Sequence, residues 1–242
     1  MSDTGKTSVC NVCMHKCRLS EDSTGFCGVR SMHDGRIFPD NYGYITAIAL
    51  DPIEKKPLKN FHPGSYILSI GSYGCNLCCP FCQNHDISQI HDPSVTGARK
   101  ITPEELCSIV VSEKRSIGLA YTYNEPLIGY EFVRDCSRLI HSAGKFNVLV
   151  SNGEAETEIL KEILPFIDAM NIDLKTWSAE KYEKLGGDLE TVKHTISRAA
   201  KSCHVEVTTL AVPGISDSVE DMDEEASWLA TISKELPLHI SR

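Results

Sequence analysis

Residues 74–84 read Gly74-Cys75-Asn76-Leu77-Cys78-Cys79-Pro80-Phe81-Cys82-Gln83-Asn84, and the spacing of their cysteines decides how the rest of the chain is read. Cys75, Cys79 and Cys82 stand in a C-x3-C-x2-C pattern. An iron–sulfur cube usually takes four thiolates, so three on one short loop would leave one iron open for chemistry. Pro80 stiffens such a loop, and Gly74 lets the backbone turn in from a preceding strand. The stretch also holds two C-x2-C pairs, Cys75/Cys78 and Cys79/Cys82, the unit of a zinc knuckle. Here the pairs are adjacent, whereas zinc sites separate them by about a dozen residues or more. The cluster reading is preferred, with Cys78 turned toward the protein as a small apolar residue.

Working outward, the 242 residues have room for one α/β domain or two small ones. Hydrophobic residues make up 41% and charged residues 24%, ordinary globular values. The net charge of −9 argues against general nucleic-acid affinity, which needs a basic surface. No stretch approaches a membrane span, and the N-terminus, Met1-Ser2-Asp3-Thr4-Gly5-Lys6-Thr7-Ser8, has no apolar run of a secretory signal. The eleven cysteines are therefore expected to be thiols or metal ligands in a reducing cytoplasm, and an exposed cluster with an open iron, being easily oxidised, would favour an anaerobic setting.

Residues 1–65 read as a cysteine-rich N-terminal extension. Cys10, Cys13, Cys17 and Cys27 form C-x2-C-x3-C-x9-C, with His15 between as a surface or packing residue. That spacing fits a structural zinc or a second cluster, and it is not the bacterial ferredoxin run. Turn signals at Asp34-Gly35 and Asn41-Tyr42-Gly43 surround short apolar runs, giving a hairpin-like region. Lys55-Lys56-Pro57 reads as a solvated turn.

From residue 66 to 242, short β-rich runs alternate with helical patterns. The runs are 66–70, 118–122, 147–150, 169–173, 205–210 and 238–240. Thr102-Pro103-Glu104-Glu105 is a capping box with proline at the first helical position. Apolar stripes follow at Leu106/Ile109/Val110, Ile159/Leu160/Ile163/Leu164, Val192/Ile196/Ala199 and Val219/Met222/Ala226/Leu229, all expected in the core. Alternation implies a parallel sheet. Six strands fall short of a closed eight-stranded barrel, so the expected fold is α/β, an open, TIM-like (β/α)6 partial barrel. The last residues, Leu238-His239-Ile240-Ser241-Arg242, fall in the sixth strand; the barrel is expected to be truncated there, or its edge covered by a partner.

C-x3-C-x2-C with Phe81 before the last cysteine resembles the cluster loop of radical S-adenosylmethionine (SAM) enzymes. The resemblance implies a 4Fe-4S cluster on Cys75, Cys79 and Cys82, with SAM on the open iron and Phe81 near its adenine. Polar residues follow successive strands, where barrel chemistry resides. SAM carries an ammonium, a carboxylate and a ribose diol. Glu125 suits the ammonium, and Asn124 stands beside it. Asp173 and Lys175, two apart on one strand face, suit the ribose and the carboxylate, or close the barrel mouth as an ion pair. Asn152 and His239 are further candidate contacts.

Asp173-Leu174-Lys175 and His239 match SAM-contacting positions of the pyruvate formate-lyase-activating enzyme group. That group's Gly-Gly-Glu-Pro is replaced here by Tyr123-Asn124-Glu125-Pro126. The chain is also similar, over essentially its whole length, to the radical SAM member of the AmmeMemoRadiSam system. It shares Gly25-Phe26-Cys27-Gly28-Val29-Arg30, Ile53-Glu54-Lys55-Lys56-Pro57-Leu58, Tyr121-Thr122-Tyr123-Asn124-Glu125-Pro126 and His239-Ile240-Ser241-Arg242. These resemblances imply a flavodoxin or ferredoxin reductant and reductive cleavage of SAM to a 5′-deoxyadenosyl radical. That radical would abstract hydrogen from a protein, such as a glycyl radical enzyme, or from a small molecule. Two rivals are a zinc-stabilised binding module without catalysis and an electron carrier with two clusters; metal content separates them.

Overall fold

The computed structural model describes residues 7–90, 92, 94 and 97–242. Met1–Lys6, part of the stretch read for its lack of an apolar run, lie outside them. The N-terminal region is built from short antiparallel pairs. Strands β1 (Ser8–Val9) and β2 (Arg18–Leu19) pair, and Cys10 N donates to Cys17 O at 2.9 Å beside them. Strands β3 (Arg30–His33) and β4 (Arg36–Pro39) form a hairpin around Asp34-Gly35. Both turn residues have positive φ, 51° and 72°, as a tight primed turn requires.

Strand β5 (Tyr44–Ile45) precedes β6 (Ala47–Pro52), which pairs antiparallel with β7 (Tyr66–Gly71) along its whole length. The sheet thus reaches back to residue 47, and the division expected at residues 65/66 runs between two paired strands.

After β7 come a short helix α1 (His85–Ser88), strand β8 (Arg99–Lys100) and helix α2 (Pro103–Ser112). The α2 capping box is formed: Glu105 N donates to Thr102 Oγ1 at 3.2 Å, and Thr102 N to Glu105 Oε2 at 2.8 Å. The alternation continues with β9 (Ser116–Tyr121), α3 (Tyr130–Ser142), β10 (Phe146–Ser151), α4 (Thr157–Ile163) and β11 (Ala169–Asp173). It ends with α5 (Ala179–Lys184), α6 (Leu189–Ala199), β12 (His204–Leu210), α7 (Val219–Ile232) and β13 (Leu238–Ser241).

The main sheet runs β13-β12-β11-β10-β9-β7-β6. Its six parallel strands lie in chain order and match the six runs expected from sequence. Leu119, Val148, Leu149, Met170, Ile172 and Val207 are fully buried, as strands covered on both faces demand. The stripes on α2 and α6 face this core, as do Leu160 and Ile163 of α4, while Ile159 packs with Cys10, Val12, Leu19 and Met32 of the N-terminal region. Helix α7 departs from expectation: Val219 is 73% exposed and Ala226 is exposed, while Glu225 and Leu229 are buried. Glu225 takes a core-facing position because it bonds Thr209, a pairing that an apolar pattern cannot reveal.

The loop after β6 crosses the barrel floor. Lys59 N and Asn60 N donate to Glu206 of β12 at 2.9 and 2.7 Å, and Asn171 Nδ2 of β11 donates to Pro57 O at 3.1 Å. One further tie joins the N-terminal region to the barrel. Buried Arg30 forks onto Glu131 of α3 at 2.9 and 2.8 Å, a bidentate geometry suited to guanidinium and carboxylate.

Candidate cluster and nucleoside site

The parallel strands end on one rim, where a cavity of about 430 Å³ opens. Cys75, Cys79, Phe81 and Cys82 line it on the loop after β7. Asn124 and Glu125 follow β9, Asn152 follows β10, and Asp173 and Lys175 stand at the end of β11. The fold therefore brings nine of the residues singled out from sequence to one cavity. His239 is not among its lining residues; Ser241, two residues further along β13, is. His239 Nε2 instead pairs with Glu206 Oε2 at 2.5 Å. The same carboxylate also serves His204 and the floor loop, so the His239 side chain is engaged with Glu206, although its backbone stands level with Thr208 and Asp173.

The cysteine loop is held from several sides. Gly74 has φ +83°, and a Cβ there would lie 2.6 Å from Val29 Cγ1, so only glycine fits this turn. Asn124 Nδ2 donates to Tyr73 O at 3.2 Å and Gly74 O at 3.0 Å, while its Oδ1 accepts from Ser72 N. Asn76 Nδ2 donates to Glu154 O at 2.9 Å. Asn124 and Asn152 thus brace the loop through their amides. Cys78 corrects the sequence reading. It is exposed, because its N–H is pinned to Leu185 O at 2.9 Å and its sulfur lies against Gly186, outside the loop.

Glu125 is 2% exposed and accepts from three donors. Leu127 N and Ser151 Oγ donate to Oε1 at 2.9 and 3.0 Å, and Asn152 N to Oε2 at 2.8 Å. Burial pushes its carboxyl up to about 7 against these three donors, which favour the charged form. Glu125 thereby ties the ends of β9 and β10 together at the cavity wall. Asp173 and Lys175 form an ion pair at 2.8 Å, and Lys175 N donates to the buried Tyr182 hydroxyl. Burial works against the Lys175 charge, but Asp173 and the neighbouring sulfurs outweigh it and the net shift is upward.

The three thiols fit a polynuclear cluster. All are free, and Leu77 N and Asn152 Nδ2 approach Cys75 Sγ at 3.4 and 3.7 Å, as N–H groups do around a thiolate. Burial pushes Cys79 up to about 11, and Lys175 draws it back. Such thiols lose their protons to a metal. Among the described residues no three His, Cys, Asp or Glu side chains close around one ion. A cubane's thiolates bind separate irons, so three free thiols on one loop suit a cluster.

The four N-terminal cysteines are also free thiols. Cys10, Cys13 and Cys27 are buried and Cys17 half-buried, with Phe26 N approaching Cys17 Sγ at 3.4 Å. His15 packs as expected, its ring stacked on Phe26 at 4.0 Å and its Nε2 bonded to Asn76 O at 2.9 Å.

Sequence reasoning missed one polar group on the wall. Lys56, read as part of a solvated turn, is 2% exposed and pairs with Asp51 at 2.8 Å. Tyr123 OH donates to the same carboxylate at 2.7 Å, and Tyr123 itself has φ +75°. It keeps the left-handed backbone that a glycine of Gly-Gly-Glu-Pro could supply. Asp51 four residues before Lys55 was the available signal.

A partial parallel barrel with three free thiols and a nucleoside-sized cavity on its C-terminal rim defines a cluster-and-cofactor class of α/β protein. The Radical SAM superfamily profile matches residues 69–229, and the chain belongs to that superfamily. Membership implies a 4Fe-4S cluster and SAM, and radical SAM chemistry. The chain is 39% identical over 236 residues to an uncharacterized protein of Methanocaldococcus jannaschii, covering 96% of this chain and 69% of that one. It is 27% identical over 172 residues to pyruvate formate-lyase 1-activating enzyme of Escherichia coli strain K12, covering 67% and 66%. The chain thus spans about two thirds of the length of these relatives. Among solved structures, Streptococcus suis SuiB bound to S-adenosylmethionine superposes with a TM-score of 0.54 at 10% identity, over 70% of this chain and 39% of that one, a likeness of fold. No helix among the described residues is long and apolar enough to cross a membrane.

Proposed function

We propose that Cys75, Cys79 and Cys82 hold the cluster and that SAM occupies the adjoining cavity, with a substrate reaching the same space. The observation that carries this reading is the meeting of the three thiols with Phe81, Asp173 and Lys175 around one cavity. With both groups bound, the chemistry supplied is one-electron cleavage of the SAM carbon–sulfur bond, giving methionine and a 5′-deoxyadenosyl radical that takes hydrogen from a substrate. Flavodoxin or ferredoxin suits the role of electron donor.

The protein's own residues do the positioning. Asn124 and Asn152 fix the thiolate loop. Phe81 offers a ring to a purine, and the Asp173–Lys175 pair offers an acceptor and a donor to a ribose and a carboxylate. Glu125, held by Leu127, Ser151 and Asn152, braces the wall and keeps one acceptor position for the ammonium of SAM.

Similarity to the E. coli activating enzyme supports a second reading of the target, the backbone of a glycyl radical enzyme. A zinc or second cluster on Cys10, Cys13, Cys17 and Cys27 belongs to the same proposal, and an iron and zinc count per chain decides it. To test the class, the protein is reconstituted anaerobically with iron and sulfide, then given SAM and dithionite. 5′-Deoxyadenosine is expected; its absence from wild type carrying a verified cluster overturns the reading.

A further inference from the structure

At the far end of the cavity two lysines share one carboxylate. Asp51 Oδ1 accepts from Lys55 Nζ at 3.2 Å, and its Oδ2 accepts from Lys56 Nζ at 2.8 Å and Tyr123 OH at 2.7 Å. Lys55 and Lys56 line the cavity and Asp51 does not, which puts the cations on the cavity side of the anion. Lys56 is also 4.6 Å from the centroid of the Tyr123 ring, which lines the same wall. An ammonium has three donors, and Asp51 engages one of those on Lys56.

Neither of the other wall carboxylates pairs with these lysines: Asp173 is bonded to Lys175, and Glu125 to Leu127 N, Ser151 Oγ and Asn152 N. The place is also distinct from the thiol loop. Strand β6 runs antiparallel to β7, with Pro52 opposite Tyr66, so Lys55 and Lys56 follow at the floor end of the sheet. The cysteine loop leaves the other end of β7.

We propose that Lys55 and Lys56 form an oxyanion subsite that holds the carboxylate or phosphate of a small-molecule substrate. The proposal rests on the radical SAM reading of the same cavity and adds the substrate class to it. A buried ammonium gains most from a second anionic partner where water is excluded. Lys56 is buried, so a ligand reaches it only by entering the cavity with an anionic end, which suits a small carboxylate or phosphate.

The test is equilibrium dialysis of the reconstituted full chain against labelled inorganic phosphate and, separately, labelled acetate, with and without SAM. Three proteins are compared: wild type, Lys55→Met, and Asp51→Asn combined with Lys56→Met, which removes the buried pair together. Saturable binding of at least one anion to wild type is expected, with and without SAM. It should be about tenfold weaker in the variants, the size of a lost charge-assisted hydrogen bond. The Lys55 side chain is 66% exposed, so Lys55→Met decides alone if the double variant does not fold. Absence of saturable binding to wild type, equal affinity in the folded variants, or loss of binding when SAM is present overturns the proposal. Deoxyadenosine formation by wild type reports separately on the radical chemistry, so either idea can fail without the other.

Discussion

Asn152 Nδ2 donates to Asn76 Oδ1 at 2.9 Å, so the loop after β10 holds the residue next to Cys75. Both asparagines are buried, and Asn152 Oδ1 accepts from Glu154 N at 3.0 Å. Removing one partner leaves the other's polar atoms unpaired away from water. Asn152→Ala should therefore destabilise the protein by about 1–3 kcal/mol. It should also reduce the iron retained per chain after reconstitution. Urea unfolding and iron analysis measure the two effects; an unchanged midpoint with full iron would show that this bond does not hold the loop.

Gly71 and Tyr123 are fitted to each other. A Cβ at Gly71 would lie 2.8 Å from Tyr123 Cδ2 and 3.0 Å from its Cβ, so the ring lies against bare backbone. Gly71→Ala should cost about 1–3 kcal/mol through overpacking. Tyr123→Gly relieves the positive φ but loses the hydroxyl on Asp51. Combining the two should cost less than the sum of the singles, because the clash needs both side chains. Strict additivity in denaturant melts would contradict the contact.

Glu225 makes stability depend on pH. Thr209 Oγ1 is 3.1 Å from Leu174 O and 2.5 Å from Glu225 Oε1. A hydroxyl has one proton, so if Thr209 donates to the carbonyl, a protonated Glu225 donates to Thr209. Burial pushes the carboxyl from 4.5 up to about 7. The folded form then holds its proton more tightly than the unfolded chain. The associated stability is fully present below 4.5 and is lost as pH rises toward 7. The loss is at most about 3 kcal/mol. Glu225→Gln should therefore be near neutral at about pH 5 and stabilising at about pH 8, as measured by urea unfolding of apo-protein. Equal destabilisation at both values would mean that the carboxyl is ionised throughout.

The barrel was legible because its strands are covered on both faces and its helices carry local signals. Leu119, Val148 and Ile172 sit in near-continuous apolar runs, and Thr102 with Glu105 needs only three residues of context. The rim was legible because parallel strands deliver their following loops to one end. What stayed hidden depends on partners distant in sequence. Lys56 is buried because β6 carries Asp51 into the main sheet, and Tyr123 reaches that carboxylate from 72 residues away. His239 carries a ligand type, yet its ring nitrogen pairs with Glu206, 33 residues earlier. Cys78 and Cys79 are neighbours in sequence, and only the pinning of Cys78 N to Leu185 O separates outside from inside.

That separation gives the most direct test. Cys78 lies outside the cavity, and Cys75, Cys79 and Cys82 line it. The measurement is 5′-deoxyadenosine formed per chain, alongside iron per chain, for anaerobically reconstituted wild type, Cys78→Ser and Cys79→Ser given SAM and dithionite. Wild type and Cys78→Ser are predicted to match in both iron and product, while Cys79→Ser loses the cluster and its product. Loss of the cluster in Cys78→Ser would contradict a three-thiolate site with an open iron.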